Sequence, residues 1–393
     1  GGDSLALQAP VLPGVNGTSR EEFIWDNAAN PAGWTLTYPV AEPLQATLTI
    51  RNKEGDERQT PSDLAFRMAD PRRIEVSRPE GFDAGAIYEF IYTARDPVVG
   101  GMAFAAVRDL VAHLRHDGGP LARGGAPEAS HAYALGISQS GRFLKDLLYQ
   151  GFNEDEAGQP VFDAMLPFIS GARRSFTNAR WSQPGRFSRQ HEDHTFPGDG
   201  FPFTYGVTMD ALTGATDGLL ARCEASHTCP AIMQVDTDSE AYQARAALIV
   251  TDTRGYHLDL PPNVRAYMLA GFPHSTAPGQ VSRPEAACVM RSNPLHPGPA
   301  LRALLTNLDA WAREEQRPPT SRYPMLGQGT LVEPGPDAVP HLPGVPYAGV
   351  VNRLASMDRN RQPPVPGHPY PMFVPRTDGD GHAIAGIRMP EVE

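Results

Sequence analysis

His131-Ala-Tyr133-Ala-Leu135-Gly136-Ile137-Ser138-Gln139-Ser140-Gly141-Arg142-Phe143-Leu144 is an apolar run that ends in a glycine-flanked serine and passes straight into an amphipathic run. Strand, serine and helix in immediate succession describe a nucleophile elbow, a sharp turn that holds a serine hydroxyl at the edge of a sheet. Small residues are needed around such a serine, because its backbone is strained and neighbouring strands crowd it. The following helix aims its first N–H groups at the serine, where they can stabilise an oxyanion. The usual pattern has glycine two places before and two places after the nucleophile. Here Gly136 keeps the first place, Ser140 takes the second, and Gly141 stands one place later. Ser138 follows the strand directly, whereas Ser140 falls inside the first helical turn. Ser138 is therefore the candidate nucleophile and the N–H of Gln139 the candidate oxyanion donor. A second donor is expected between Thr93 and Gly101.

Upstream, Ala86-Ile-Tyr88-Glu-Phe90-Ile-Tyr92 reads as a short apolar strand, and Phe104 to Leu114 as a helix. Downstream, Phe162 to Gly171 reads as a buried strand. Ala231 to Val235 and Val264 to Ala270 fit the same sheet, and a final helix from Ala300 to Trp311 stops before Pro318-Pro319. Strands alternating with helices predict an α/β fold with a mostly parallel, doubly covered sheet. Residues 1–85 read as a β-rich extension, in which Leu44 to Arg51 alternates as a half-buried strand. Residues 86–324 read as the core, interrupted at about 172–222 by an insertion of the length that serves as a lid or cap. Residues 325–393, rich in Pro and Gly, read as a C-terminal wrap on a single domain of 393 residues.

A hydrophobic share of 40% and 4 tryptophans suffice for a sizeable core. The net charge of −11 argues against nucleic acid or an anionic membrane as partner. No apolar run is long enough to span a bilayer. Lys53 and Lys145 are the only lysines, a bias towards arginine that reads as coding rather than mechanism. Cys223 and Cys229 bracket a short polar loop and are expected to form a disulfide, with Cys288 apart. That pairing suits an exported protein whose signal has been removed; a cytoplasmic protein is the other option.

A serine nucleophile needs a base, and the base needs an orienting acid. The strand ending at Val235 leads into Asp236-Thr-Asp238-Ser-Glu240-Ala-Tyr242, and the strand ending at Ala270 leads into Gly271-Phe-Pro-His274-Ser275. In α/β-hydrolases the chain order is serine, acid, histidine, each on a loop leaving the same edge of the sheet. A lone Gly-x-Ser is usually a turn and a lone histidine usually structural. Their coincidence at three strand ends is what carries the reading.

The runs GISQSGRFLKDLLYQGFNEDE, MQVDTDSEAYQ, NVRAYMLAGFPHS, NPLHPGPALRALL and VPRTDGDGHAIAGIR resemble the bacterial alpha/beta hydrolase domain family, a group of serine esterases. The elbow more faintly resembles those of glucuronoyl esterases and tannase-type esterases, in which the first serine is the nucleophile and glycine stands three places later. The resemblance implies an α/β-hydrolase fold, Ser138 with His274, and Glu240 as the acid. Asp238 and Asp236 stand as alternative acids. The expected activity is cleavage of a small carboxylic ester through an acyl-enzyme. Acyl transfer, lactone hydrolysis or a catalytically silent binding protein are the alternatives.

Arg173, Arg174, Arg180, Arg186 and Arg189 in the insertion are candidates to grip a substrate carboxylate, against the plainer reading that they pair with nearby acids and loop carbonyls. Phe196, Phe201, Phe203 and Tyr205 are candidates for an apolar pocket or for core. His191-Glu-Asp-His194 lacks the spacing of a zinc motif, and Asp378-Gly-Asp380-Gly381 reads as a turn, not a calcium loop. No metal and no cofactor is expected.

Overall fold

A computed structural model describes residues 9–82, 85–117, 129–183, 195–275, 293–335, 338–344 and 353–389, with 347, 349 and 351. Arg186, Arg189, His191, His194 and Cys288 lie outside the described residues. The chain divides into two compact units. The first comprises 1–102, 176–197 and 357–367; the second comprises 103–175, 198–356 and 368–393.

The first unit holds β1 (Asn16–Ile24), β2 (Ala32–Thr35), β3 (Thr47–Arg51), β4 (Ala65–Asp70), β5 (Arg73–Ser77) and β6 (Ile87–Arg95). They form two antiparallel sheets, ordered β1-β6-β3 and β2-β5-β4, which share one core. Phe23, Trp25, Trp34 and Tyr88 pack as an aromatic cluster within it, with Phe23 stacked on Trp34 at 4.9 Å between centroids.

The strand expected to open the parallel sheet is β6, and the structure places it in this antiparallel sheet instead. Its apolar run carries no information on strand direction, but its partner does. Glu22 of β1 stands opposite Glu89 of β6, and these two carboxylates need cations between them. Arg20 bonds both, Arg51 reaches Glu22 at 3.2 Å, and Arg58 reaches Glu89 at 2.6 Å. A buried ionic face of this kind is destabilising unless complete, so it selects this pairing.

In the second unit, α1 (Met102–Ala112, its first residue outside the unit) precedes β7 (Tyr133–Ile137), α2 (Gln139–Tyr149) and β8 (Ala164–Phe168). A small hairpin of β9 (Thr208–Met209) and β10 (Thr216–Asp217) and a short α3 (Ala221–Ser226) follow. Then come β11 (Ala231–Thr237), α4 (Asp238–Gln243), β12 (Val264–Leu269) and α5 (Gly298–Glu314). The sheet is ordered β12-β11-β8-β7, with every pair parallel. Leu144, Leu147 and Leu148 of α2 pack with Met165 and Ile232 on one face. Leu304 and Leu308 of α5 pack with Leu166, Phe168, Met233 and Val235 on the other. Covering both faces is what makes β8, β11 and β12 continuous apolar runs, whereas on β7 Leu135 and Ile137 stand exposed on one face.

Chain from the C-terminal region extends the β12 edge, where the N–H of Met268 donates to the carbonyl of Arg322 and that of Ala270 to the carbonyl of Ile387. No helix among the described residues is long and apolar enough to cross a membrane.

Cys223 and Cys229 are joined by a disulfide across the turn that ends α3, where His227 takes a left-handed conformation. Closing a loop this short removes denatured-state entropy worth about 2 kcal/mol. Paired alanine substitution of Cys223 and Cys229 is therefore expected to lower stability by about that amount. In urea unfolding, a reductant should weaken the parent and leave the variant unchanged.

Candidate functional site

Ser138 sits between β7 and α2 with φ 56° and ψ −113°, a conformation that a side chain rarely adopts. Its N–H donates to the carbonyl of Phe168 on β8 at 2.8 Å. The two glycines around it explain the shifted motif. A Cβ on Gly136 would stand 2.4 Å from the backbone oxygen of Ser140. One on Gly141 would stand 2.9 Å from the backbone oxygen of Phe168. Position 140 needs no glycine, since its side chain is exposed on the first turn of α2. Position 141 does, since it is buried against the neighbouring strand.

The hydroxyl of Ser138 lies 2.9 Å from Nε2 of His274, and Nδ1 of His274 lies 2.5 Å from Oε1 of Glu240. With its proton on Nδ1, facing the carboxylate, the imidazole accepts from the serine at Nε2. The Glu240 side chain is 3% exposed and that of His274 is 38%. The acid is fixed from within and the base is open to a substrate.

Thr237 and Ser239 emerge from the structure as partners of Glu240 and His274. Thr237 and Glu240 form the capping box that starts α4. Oε2 of Glu240 accepts from the N–H of Thr237 at 2.9 Å and from its hydroxyl at 2.5 Å, which leaves Oε1 for His274. Thr-x-x-Glu is a sequence-level signature of this arrangement, and it distinguishes Glu240 from the other two acids. Ser239 accepts from the N–H of His274 at 3.0 Å. Lys145, on α2, is wholly buried.

Asp238 and Asp236 face elsewhere. Asp238 Oδ2 accepts from the N–H of Gly271 at 2.8 Å, pinning the turn that carries His274. Burial pushes its carboxyl up to about 6, against the Gly271 N–H and the nearby His382. Asp236, 0% exposed, accepts from the N–H of Gly171 at 2.9 Å and from Gln234 at 2.7 Å.

Gln139 opens α2 directly after Ser138, so its N–H has no acceptor within the helix. The segment Thr93 to Gly101, from which a second donor is expected, belongs to the first unit. Arg173 forks onto Asp199 at 2.5 and 3.0 Å. Arg174 is buried over the ring of Tyr149 and donates to the carbonyls of Gly200 and Phe201. Both arginines thus have the protein partners of the plainer reading. Phe201 packs edge-on to Phe203, which with Tyr205 is core. Among the described residues no group of His, Cys, Asp and Glu is arranged to hold a metal.

Glu240→Gln is expected to lower kcat by about 10⁴-fold, because the amide favours the wrong imidazole tautomer. Asp238→Asn should cost less than about tenfold, its amide oxygen still accepting from Gly271. Hydrolysis rates of the two variants on one ester decide between them. Asp238 has its folded-state pKa raised from 3.8 to about 6, so the stability it contributes is complete below pH 3.8 and lost as pH rises through about 6. Asp238→Asn escapes that loss. Its melting temperature relative to the parent should therefore climb between pH 4 and pH 7.

No curated protein and no solved structure matches this chain. A family described as "Alpha/beta hydrolase domain" matches residues 27–393, which takes in Ser138, Glu240 and His274. On that match, together with a parallel sheet covered by helices, the chain belongs to the alpha/beta hydrolase domain family.

Proposed function

We propose that the protein is a serine hydrolase that cleaves a carboxylic ester of a small molecule, with Ser138 as nucleophile, His274 as base and Glu240 as orienting acid. The observation that carries this reading is the unbroken hydrogen-bond series from the Ser138 hydroxyl through His274 to Glu240, anchored by Thr237. Ser138 Oγ attacks the ester carbonyl as its proton passes to Nε2 of His274. The carboxylate of Glu240 balances the imidazolium so formed, and the Gln139 N–H donates to the oxyanion. The tetrahedral intermediate collapses, the ester C–O bond breaks, and His274 returns the proton to the departing alcohol. Water, deprotonated by His274, then releases the acid from Ser138.

In this reading residues 198–222, the part of the insertion that belongs to the second unit, take the role of a cap. Arg173 and Arg245 both reach Asp199, which ties part of the insertion to the chain that leaves the acid helix. Export from the cytoplasm is proposed on the Cys223–Cys229 disulfide, since such bonds persist in oxidising compartments.

Ser138→Ala is expected to lower kcat on the order of 10⁵-fold, and Ser140→Ala less than about tenfold. p-Nitrophenyl esters of rising chain length, beside aromatic and uronate esters, provide the substrates. A fluorophosphonate should label Ser138 in the parent and nothing in Ser138→Ala. Parent-like hydrolysis by Ser138→Ala would end this reading.

A further inference from the structure

Lys145 is one of two lysines in a chain whose 34 basic residues are otherwise arginine, and it is 0% exposed on α2. Burying an ammonium is costly, and a methionine would fill the space without that cost. Burial pulls the Lys145 pKa down, the Asp236 carboxylate opposes that, and Arg174 and Arg142 add to the lowering. So expensive a group in an arginine-biased chain calls for a use that arginine does not serve.

Its Nζ donates to the carbonyl oxygen of Gly171 at 2.6 Å. That oxygen also accepts from Nε2 of Gln234 at 2.9 Å. The N–H of the same Gly171 donates to Asp236, whose other oxygen accepts from Gln234 at 2.7 Å and from the hydroxyl of Tyr323 at 3.1 Å. Gly171 has φ +55°, and a Cβ there would stand 2.5 Å from that of Ala244, so only glycine presents its peptide at this point. A compact ammonium meets one carbonyl oxygen already shared with Gln234; the planar fork of arginine does not.

The hub has a particular place in the fold. Gly171 follows β8, which lies between β7, carrying Ser138, and β11, leading to Glu240. Lys145 belongs to α2, the helix that begins at Gln139 directly after Ser138. Resting on the serine-hydrolase reading, we propose that Lys145 is a positioning residue of the reaction. Through Gly171 it locks the nucleophile helix to the strand that delivers Glu240, and so holds Ser138 and the Gln139 N–H in register with His274.

The test uses Lys145→Met, Asp236→Asn and the double variant in the full-length protein. Lys145→Met is expected to lower kcat between about tenfold and a hundredfold, with KM within about twofold and fluorophosphonate labelling of Ser138 slowed in step. The double variant removes both buried charges, so its melting temperature should return to the parent's or exceed it while kcat stays low. It carries the same readout if Lys145→Met does not fold. A double variant that regains both melting temperature and kcat makes the pair merely structural and overturns the proposal. So does a folded Lys145→Met with the parent's kcat and labelling rate. An unlabelled parent overturns the serine-hydrolase reading itself and this inference with it.

Discussion

The close approach of α2 to the strands beside it is the constraint on which the site depends. Its first turn lies so near β7 and β8 that positions 136 and 141 have no room for a Cβ. Held there, Ser138 keeps a backbone conformation that costs on the order of 1–3 kcal/mol. That strain is what lifts its hydroxyl off the end of the sheet. With adjacent strands roughly 4.8 Å apart, β12 lies about 14 Å from β7, so a histidine on β12 itself stands too far from the serine. The four steps from Ala270 to His274 reach at most about 14 Å, shortened by the turn in which the N–H of Phe272 donates to the carbonyl of Leu269, and the His274 and Ser138 side chains span the remainder. Gly271, with φ +80°, supplies the change of direction.

Ser138, His274 and the parallel sheet were legible in the sequence because each rests on local pattern. Apolar runs mark buried strands, and the residue after a strand's end marks a loop on one edge of the sheet. Position alone narrowed the proposed acid to three carboxylates and the family resemblance favoured Glu240, while Thr237-Asp-Ser-Glu240 held the further signal of a capping box. The direction and partner of β6 were not legible. They follow from Glu89 facing Glu22 across the antiparallel ladder, a fact about residues about seventy positions apart.

Lys145 shows why composition misleads when it is read as an average. A chain that uses arginine nearly everywhere makes its rare lysines look incidental. The physical contrast appears only with burial, where a point cation meets a single carbonyl oxygen beneath the elbow. Arg174 makes the opposite case: its broad planar group covers the Tyr149 ring at 4.0 Å and serves two loop carbonyls. Each cation sits where its own shape is required.

The acidic run 236–240 carries the last step of this logic. Three carboxylates within five residues repel one another, and burial adds to the cost of Asp236 and Asp238, both pushed upward. Each nevertheless accepts a backbone N–H from a different place. Asp236 takes that of Gly171 beyond β8, Asp238 that of Gly271 beyond β12, and Glu240 that of Thr237 at the end of β11. The exits of three neighbouring strands are thereby tied to one turn of chain. The proposed triad needs one orienting carboxylate from this loop. The other two are intelligible as the means by which that acid is kept level with the serine on one side and the histidine on the other.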